Sequence, residues 1–205
     1  AFDADLLGNQ IFLEDFRVDS CSLEQMPAVA SDGDGALGRH VDGCRIGFDL
    51  GGSDRKAAAV IDGEVVFSEE IGWDPYFQSD PQYHFDGIVK SIQKAAGYLP
   101  RVDAIGGSAA GVYVSNEVRA ASLFRGVSPA NFDQRVRRIF FDVMESLGWS
   151  EKPWRVVNDG EVTALAGSMS IGGNSLLGLS MGTSFAAGYV TPSGNLSSGL
   201  NELAF

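Results

Sequence analysis

Three short stretches carry residue types that can do chemistry, at spacings that would let them do it together. Asp49-Leu-Gly-Gly-Ser53 puts a carboxylate, two adjacent glycines and a hydroxyl in one turn. Successive N–H groups at such glycines can form a concave nest for anionic oxygens, Ser53 can donate a further hydrogen bond, and Asp49 can hold Mg2+ through water. The same residues also make an ordinary tight hairpin with an incidental Asp. Val157-Asn-Asp-Gly-Glu161, leading into Ala164-Leu-Ala-Gly167, places Asp159 where a strand turns into a helix. A carboxylate there can accept a proton from a hydroxyl, or it can cap the helix and complement its dipole. Met181-Gly-Thr-Ser-Phe-Ala-Ala-Gly188 sets a Gly-Thr turn between two apolar stretches.

Such residues need strands and helices to position them. Arg45-Ile-Gly-Phe-Asp-Leu50 and Lys56-Ala-Ala-Ala-Val-Ile61 read as strands, and Asp62-Gly63 is a two-residue hairpin signal before a third, Glu64-Val-Val-Phe67. Phe85, Ile88, Val89, Ile92, Ala95, Ala96 and Leu99 recur at helical spacing, with Pro100 as a stop. Val102-Asp-Ala-Ile-Gly106 reads as a fourth strand running into a small-residue loop, Gly106 to Gly111. A second helix opens at Ser128 with Pro129 in its first position, carries Phe132, Val136, Ile139, Phe140, Val143, Met144 and Leu147 on one face, and closes at Gly148. Trp154-Arg-Val-Val157 is the fifth strand, a helix follows Asp159, and Ser175–Ser180 and Phe185–Val190 form a late hairpin. This order predicts an α/β lobe with a mixed sheet and flanking helices over 44–170, then the first hairpin of a second lobe over 171–205.

Residues 1–43 read as an irregular segment, and the acidic Asp/Gly run Ala30–Gly38 as a linker rather than a calcium loop, since it lacks the closing Glu. The chain of 205 residues starts without Met and stops on the apolar Asn201-Glu-Leu-Ala-Phe205, which suggests an excerpt of a longer polypeptide. A net charge of −12 argues against nucleic acid or anionic membrane as a general partner. Cys21 and Cys44 make neither a disulfide framework nor a paired zinc spacing. No apolar run approaches membrane-spanning length and no signal-like start is present. A soluble, cytoplasmic protein is expected.

Taken together, the motifs and their order resemble the actin, hexokinase and Hsp70 superfamily of ATPases, and within it the ROK family of sugar kinases and regulators, over residues 44 to 205. The resemblance implies an actin-like, ribonuclease H-like ATPase fold. It makes Asp49 the Mg2+ carboxylate and Gly51, Gly52, Ser53 and Lys56 the first phosphate motif. Gly182 and Thr183 match the second, although Ser184, Phe185, Ala186 and Ala187 stand where the family carries more glycine. Asp159 takes the place of the catalytic base. Asn158, Glu202 and Gly107 fall at sugar-contacting positions, with Phe205 in place of a family His. The adenine pocket and the family's zinc segment would lie beyond residue 205.

The resemblance implies an ATP- and Mg2+-dependent phosphotransferase acting on a sugar-like hydroxyl, with a homodimer as a possible assembly. The altered turn and Phe205 leave room for a non-catalytic, ligand-sensing regulator, and activase-type relatives for an ATPase that drives a partner. Other side chains read as less specific. His40 and His84 are expected in solvated or capping roles, and Arg135, Arg137 and Arg138 on a solvated helix face. Trp73, Tyr76 and Phe77 belong to a loop that either packs on the sheet or lines a cleft.

Overall fold

Alternation builds the first strand: in β1 (Cys44–Leu50), Cys44, Ile46, Phe48 and Leu50 are buried, while Arg45, Gly47 and Asp49 take the other face. β2 (Asp54–Ile61) and β3 (Glu64–Gly72) continue it as an antiparallel meander. Their turn is Asp62-Gly63, with φ of 49° and 87°, the left-handed pair that a two-residue hairpin of this twist requires. β4 (Ala104–Ala109) and β7 (Trp154–Asn158) add in parallel, giving a five-stranded mixed sheet in the order β3-β2-β1-β4-β7. The computed structural model describes residues 3–26, 37–182, 185–197 and 201–204.

One face of this sheet is covered by α1 (Pro81–Ala96) and by a second helical run. Asp80 caps α1 by accepting from the Gln82 N–H, with Pro81 at the first position. Ile88 and Ile92 are then fully buried, each contributing about 1.5–3 kcal/mol. The second run is not the single helix that its periodicity predicts. It opens as α2 (Pro129–Asn131), widens to a π turn over Phe132–Val136, and restarts as α3 (Ile139–Ser146). The break has a physical cause, since the Arg137 carbonyl accepts from the Val118 N–H instead of serving the helix.

Three further differences from the sequence reading concern small or aromatic residues. β4 extends through Ala109, where the sequence suggested a loop from Gly106, because this central strand pairs on both sides and Gly107 leaves room for the Phe48 ring. A hairpin of β5 (Val112–Val114) and β6 (Glu117–Ala120) follows, turned by Ser115 and Asn116 at φ of 51° and 68°. His84 is fully buried rather than solvated. Its Nε2 lies 3.1 and 3.0 Å from the carbonyl oxygens of Pro75 and Leu123, so that nitrogen carries the proton and ties two loops together.

Burial holds the His84 pKa below its ordinary 6.5. The unfolded chain therefore binds the extra proton first: this contribution to stability is full above pH 6.5 and is lost as pH falls below it. Thermal melts from pH 7.5 to 5.5 should show a drop whose slope is reduced in His84→Ala, which starts from a lower melting temperature.

Residues 1–43 are not wholly irregular. Asp3–Phe12 forms a wide helical segment whose Ile11 is buried against Val112 and Ala120. Near residue 39 the chain docks again, Arg39 donating to Ser168 Oγ at 2.8 Å. Residues 30–36 of the expected linker lie outside the described residues.

The last part of the chain builds around α4 (Asp159–Ile171). A three-stranded sheet, β8 (Leu176–Met181), β9 (Phe185–Val190) and β10 (Glu202–Ala204), in the order β10-β9-β8, packs on that helix. Its approach is close enough that a methyl group at Gly178 would overlap Ala164, and one at Gly188 would overlap Gly160 and Glu161. Ala164, Val190 and Leu196 form a core cluster of their own there. The fold is a mixed α/β architecture, a five-stranded sheet with flanking helices and a second, three-stranded sheet packed on α4.

Candidate active site

Parallel pairing brings the chemistry to one edge. Asp49 of β1 lies in register with Ser108 of β4, which is in register with Val157 of β7, so the C-terminal ends of three strands stand side by side. Asp159 follows two residues after Val157, at the start of α4. In open α/β sheets this carboxyl edge is where ligands bind. Asp49 and Asp159 flank it, with β4 between their strands, and the charge of Asp49 is felt at Asp159.

Asp159 is not the helix cap. That role belongs to Asn158, whose Oδ1 accepts from the Gly160 N–H at 2.8 Å, while Glu161 Oε2 accepts from the Asn158 N–H at 2.9 Å. The Asp159 carboxylate is left for other uses. Its Oδ2 accepts from the Ser180 hydroxyl at 3.1 Å and its Oδ1 from the Gly160 N–H at 3.1 Å. Burial raises its pKa above the ordinary 3.8, against these two hydrogen bonds, and Asp49 adds to the rise.

Asn158 and Glu202 are brought together rather than left facing solvent. Asn158 Nδ2 donates to Glu202 Oε2 at 2.7 Å and to the Gly111 carbonyl at 2.8 Å, and the same Glu202 oxygen accepts from the Gly111 N–H at 3.2 Å. This buried triangle joins β10 to the edge of the five-stranded sheet. Tyr113, behind it, donates to the Ala110 carbonyl at 3.0 Å, and burial followed by the charge of Glu202 pushes its pKa well above 10.0. Gly107 lies inside β4 under the Phe48 ring, and not in a loop.

The first phosphate turn is braced from outside. Trp73 Nε1 donates to the Gly51 carbonyl at 2.8 Å, the Gly51 N–H closes the turn onto the Asp54 carbonyl at 2.9 Å, and a methyl group at Gly52 would overlap the Tyr76 hydroxyl. The Arg125 guanidinium stacks on Tyr76, 3.9 Å from the ring centre, and reaches toward Phe77. The aromatic loop therefore packs on the turn. Ser53 donates to Asp54 at 2.9 Å, and Lys56 Nζ lies 2.6 Å from Asp54 and 3.8 Å from Asp49. Lys56 holds the Asp54 carboxyl below its usual value and is itself raised. Beside Asp49 and Lys56 a groove of about 470 Å³ runs over Gly47, Ala58, Ser68 and Glu70.

Gly182 stands at the end of β8, where a side chain would meet open space, whereas Thr183, Ser184 and Phe205 lie outside the described residues. Sequence reasoning missed Ser180 and Tyr113. Ser180 carried no signal: the apolar side of β8, Leu177, Leu179 and Met181, is the exposed one, so alternation alone would turn Ser180 to solvent.

No protein-family model and no curated protein matches the sequence. Solved structures do. An inorganic polyphosphate/ATP-glucomannokinase from Arthrobacter sp. strain KM superposes with a TM-score of 0.59 at 16% identity, over 78% of this chain and 62% of that one. A ROK hexokinase from Thermus thermophilus gives 0.57 at 18%, over 78% and 50%. A ROK-family transcriptional regulator homologous to the E. coli MLC protein gives 0.54 at 18%, over 78% and 40%. The chain thus has the fold of ROK-type kinases and regulators, and spans between 40% and 62% of the length of these three structures.

Proposed function

We propose that the protein to which this chain belongs is a ROK-type sugar kinase, transferring the γ-phosphoryl group of ATP to a sugar hydroxyl. The observation that carries the reading is Asp159: a half-buried carboxylate with a raised pKa, at the carboxyl edge of the sheet, across from Asp49, in a fold shared with sugar kinases. Phosphoryl transfer asks a protein mainly to position the reactants and to take the hydroxyl proton. Asp159 would accept that proton, and the sugar would lie between the five-stranded sheet and the C-terminal sheet, in the cleft between the units expected over 44–170 and 171–205.

ATP and Mg2+ suit the residues present. Lys56 is an exposed cation beside the Gly51-Gly52-Ser53 turn, Gly182 is open to a close approach, and Asp49 is exposed at its strand end. Among the described residues no three His, Cys, Asp or Glu side chains converge as a cage, in keeping with a hydrated Mg2+ held mainly by water and phosphate oxygens. Bound Mg2+ would neutralise charge on the transferring phosphates. Asn158 would hold a sugar hydroxyl by exchanging one of its present hydrogen bonds, and Glu202 is held beside it through Oε2. Two unpaired cysteines, Cys21 and Cys44, fit a cytoplasmic protein, and no helix among the described residues is long and apolar enough to cross a membrane.

A specific observation favours a second reading. The Asn158–Glu202–Gly111 triangle already engages the Asn158 amide and one Glu202 carboxylate oxygen, and one structure sharing the fold is a transcriptional regulator. A ligand-sensing module would open that triangle on binding sugar without phosphorylating it.

A coupled ADP-release assay of the whole protein against hexoses and N-acetylhexosamines separates the two. The kinase reading expects sugar-dependent ADP release; sugar binding by calorimetry without turnover would favour the sensor. The base must be ionised to work, so the acidic limb of kcat/KM should lie above 3.8, the ordinary aspartate value, because burial raises Asp159.

A further inference from the structure

Strand β8 turns two different sides to its surroundings. Leu177, Leu179 and Met181 point away from α4, while Gly178 packs on Ala164 and Ser180 reaches the start of the helix. The Asp159 carboxylate is bonded at both oxygens, by the Gly160 N–H within its own helix and by the Ser180 hydroxyl. Among the described residues, only the second bond comes from outside α4. Among the described residues it alone fixes the carboxylate relative to β8, which ends one residue before Gly182. Each carboxylate oxygen has a second lone pair, so the bond leaves acceptor capacity for a substrate hydroxyl.

We propose that Ser180 is the positioning residue for Asp159, orienting the base and tying it to the turn assigned to the ATP phosphates. The inference rests on the kinase reading. The local packing supports it: a Cβ at Gly160 would lie 2.6 Å from the Ala187 nitrogen and 2.8 Å from the Ala186 carbonyl carbon, so the first turn of α4 is seated directly on β9. Ser180 pairs with Ala186 across that hairpin. Seating phosphates at Gly182 would thereby act on the strand that holds the base, and the base would be aimed when nucleotide is in place.

The test uses the whole protein with Ser180→Ala, Ser180→Thr, Asp159→Asn and the double variant Asp159→Asn/Ser180→Ala, assayed by ADP release over ranges of sugar and ATP. Ser180→Ala should lower kcat by about ten- to a hundredfold with both KM values nearly unchanged, and should remain folded at the assay temperature. Ser180→Thr, which keeps the hydroxyl, should restore most of the rate. The double variant should be no slower than Asp159→Asn, because the two residues act as a unit. Wild-type kcat in Ser180→Ala, a change confined to KM, or failure of Thr to rescue would overturn the role of Ser180 and leave the kinase reading standing. A wild type that phosphorylates no sugar would overturn both.

Discussion

Asp159→Asn in the whole protein is expected to lower sugar phosphorylation by about 10²- to 10⁴-fold, the contribution of a positioned general base. The change keeps the shape of the side chain and removes its ability to take a proton. Sugar and ATP affinity should stay close to wild type, because a base acts in the transition state and adds little to ground-state binding. Folding should survive as well. The helix cap is supplied by Asn158, so what the variant gives up is a negative charge near the N-terminus of α4, worth about 0.3–1 kcal/mol. Calorimetry and a coupled assay on the same preparation distinguish this from a general loss of structure. Unchanged turnover would remove Asp159 from the chemistry.

The second large effect is on nucleotide binding. Gly52→Val should weaken Mg·ATP binding more than tenfold, an effect above about 1.4 kcal/mol, because even one methyl group at that position overlaps the Tyr76 hydroxyl. Relief requires either the ring to leave, which also disturbs the Arg125 stacked on it, or the turn itself to move away from Lys56. Both routes deform the site of phosphate approach. Titration calorimetry reads the loss directly, and equal affinity in wild type and variant would place the nucleotide somewhere other than the Gly51–Ser53 turn.

Much of the fold was legible because its signals are local. The alternation of Ile46, Phe48 and Leu50, the Asp62-Gly63 turn, and the helical spacing of Ile88, Ile92 and Ala95 each fix an element without outside help. Long-range partners account for the failures. Gly106 to Ala109 have loop-like composition, yet they become strand because β1 and β7 lie on either side. The break at Arg137 depends on a hydrogen bond from Val118, in a hairpin that the apolar residues flanking Ser115-Asn116 only faintly announce. Ile11 shows no strong pattern either, and is buried by what lies opposite it.

The site divides in the same way. The positions of Asp49 and Asp159 at strand ends could be read from their motifs, since Asp49 stands at the end of one strand and Asp159 follows another, each defined by its own sequence. Whether a side chain is free cannot be read from a motif. Asn158 turns out to be a cap and a latch, with Glu202 as its partner from 44 residues away, and Gly107 makes room for Phe48. Ser180 escaped notice because a serine in a strand carries no motif, and only the packing of β8 on α4 gives it a carboxylate to hold.

Where the sugar lies decides whether Asp159 can act as the base. A crystal structure of the whole protein with a non-hydrolysable ATP analogue, Mg2+ and its best sugar tests this in one measurement. A sugar hydroxyl should lie within hydrogen-bond reach of the Asp159 carboxylate, about 2.6–3.2 Å, with the terminal phosphate on the other side of that hydroxyl and the metal toward Asp49. A sugar seated away from Asp159, or phosphates that meet neither the Gly51–Ser53 turn nor Gly182, would contradict the account.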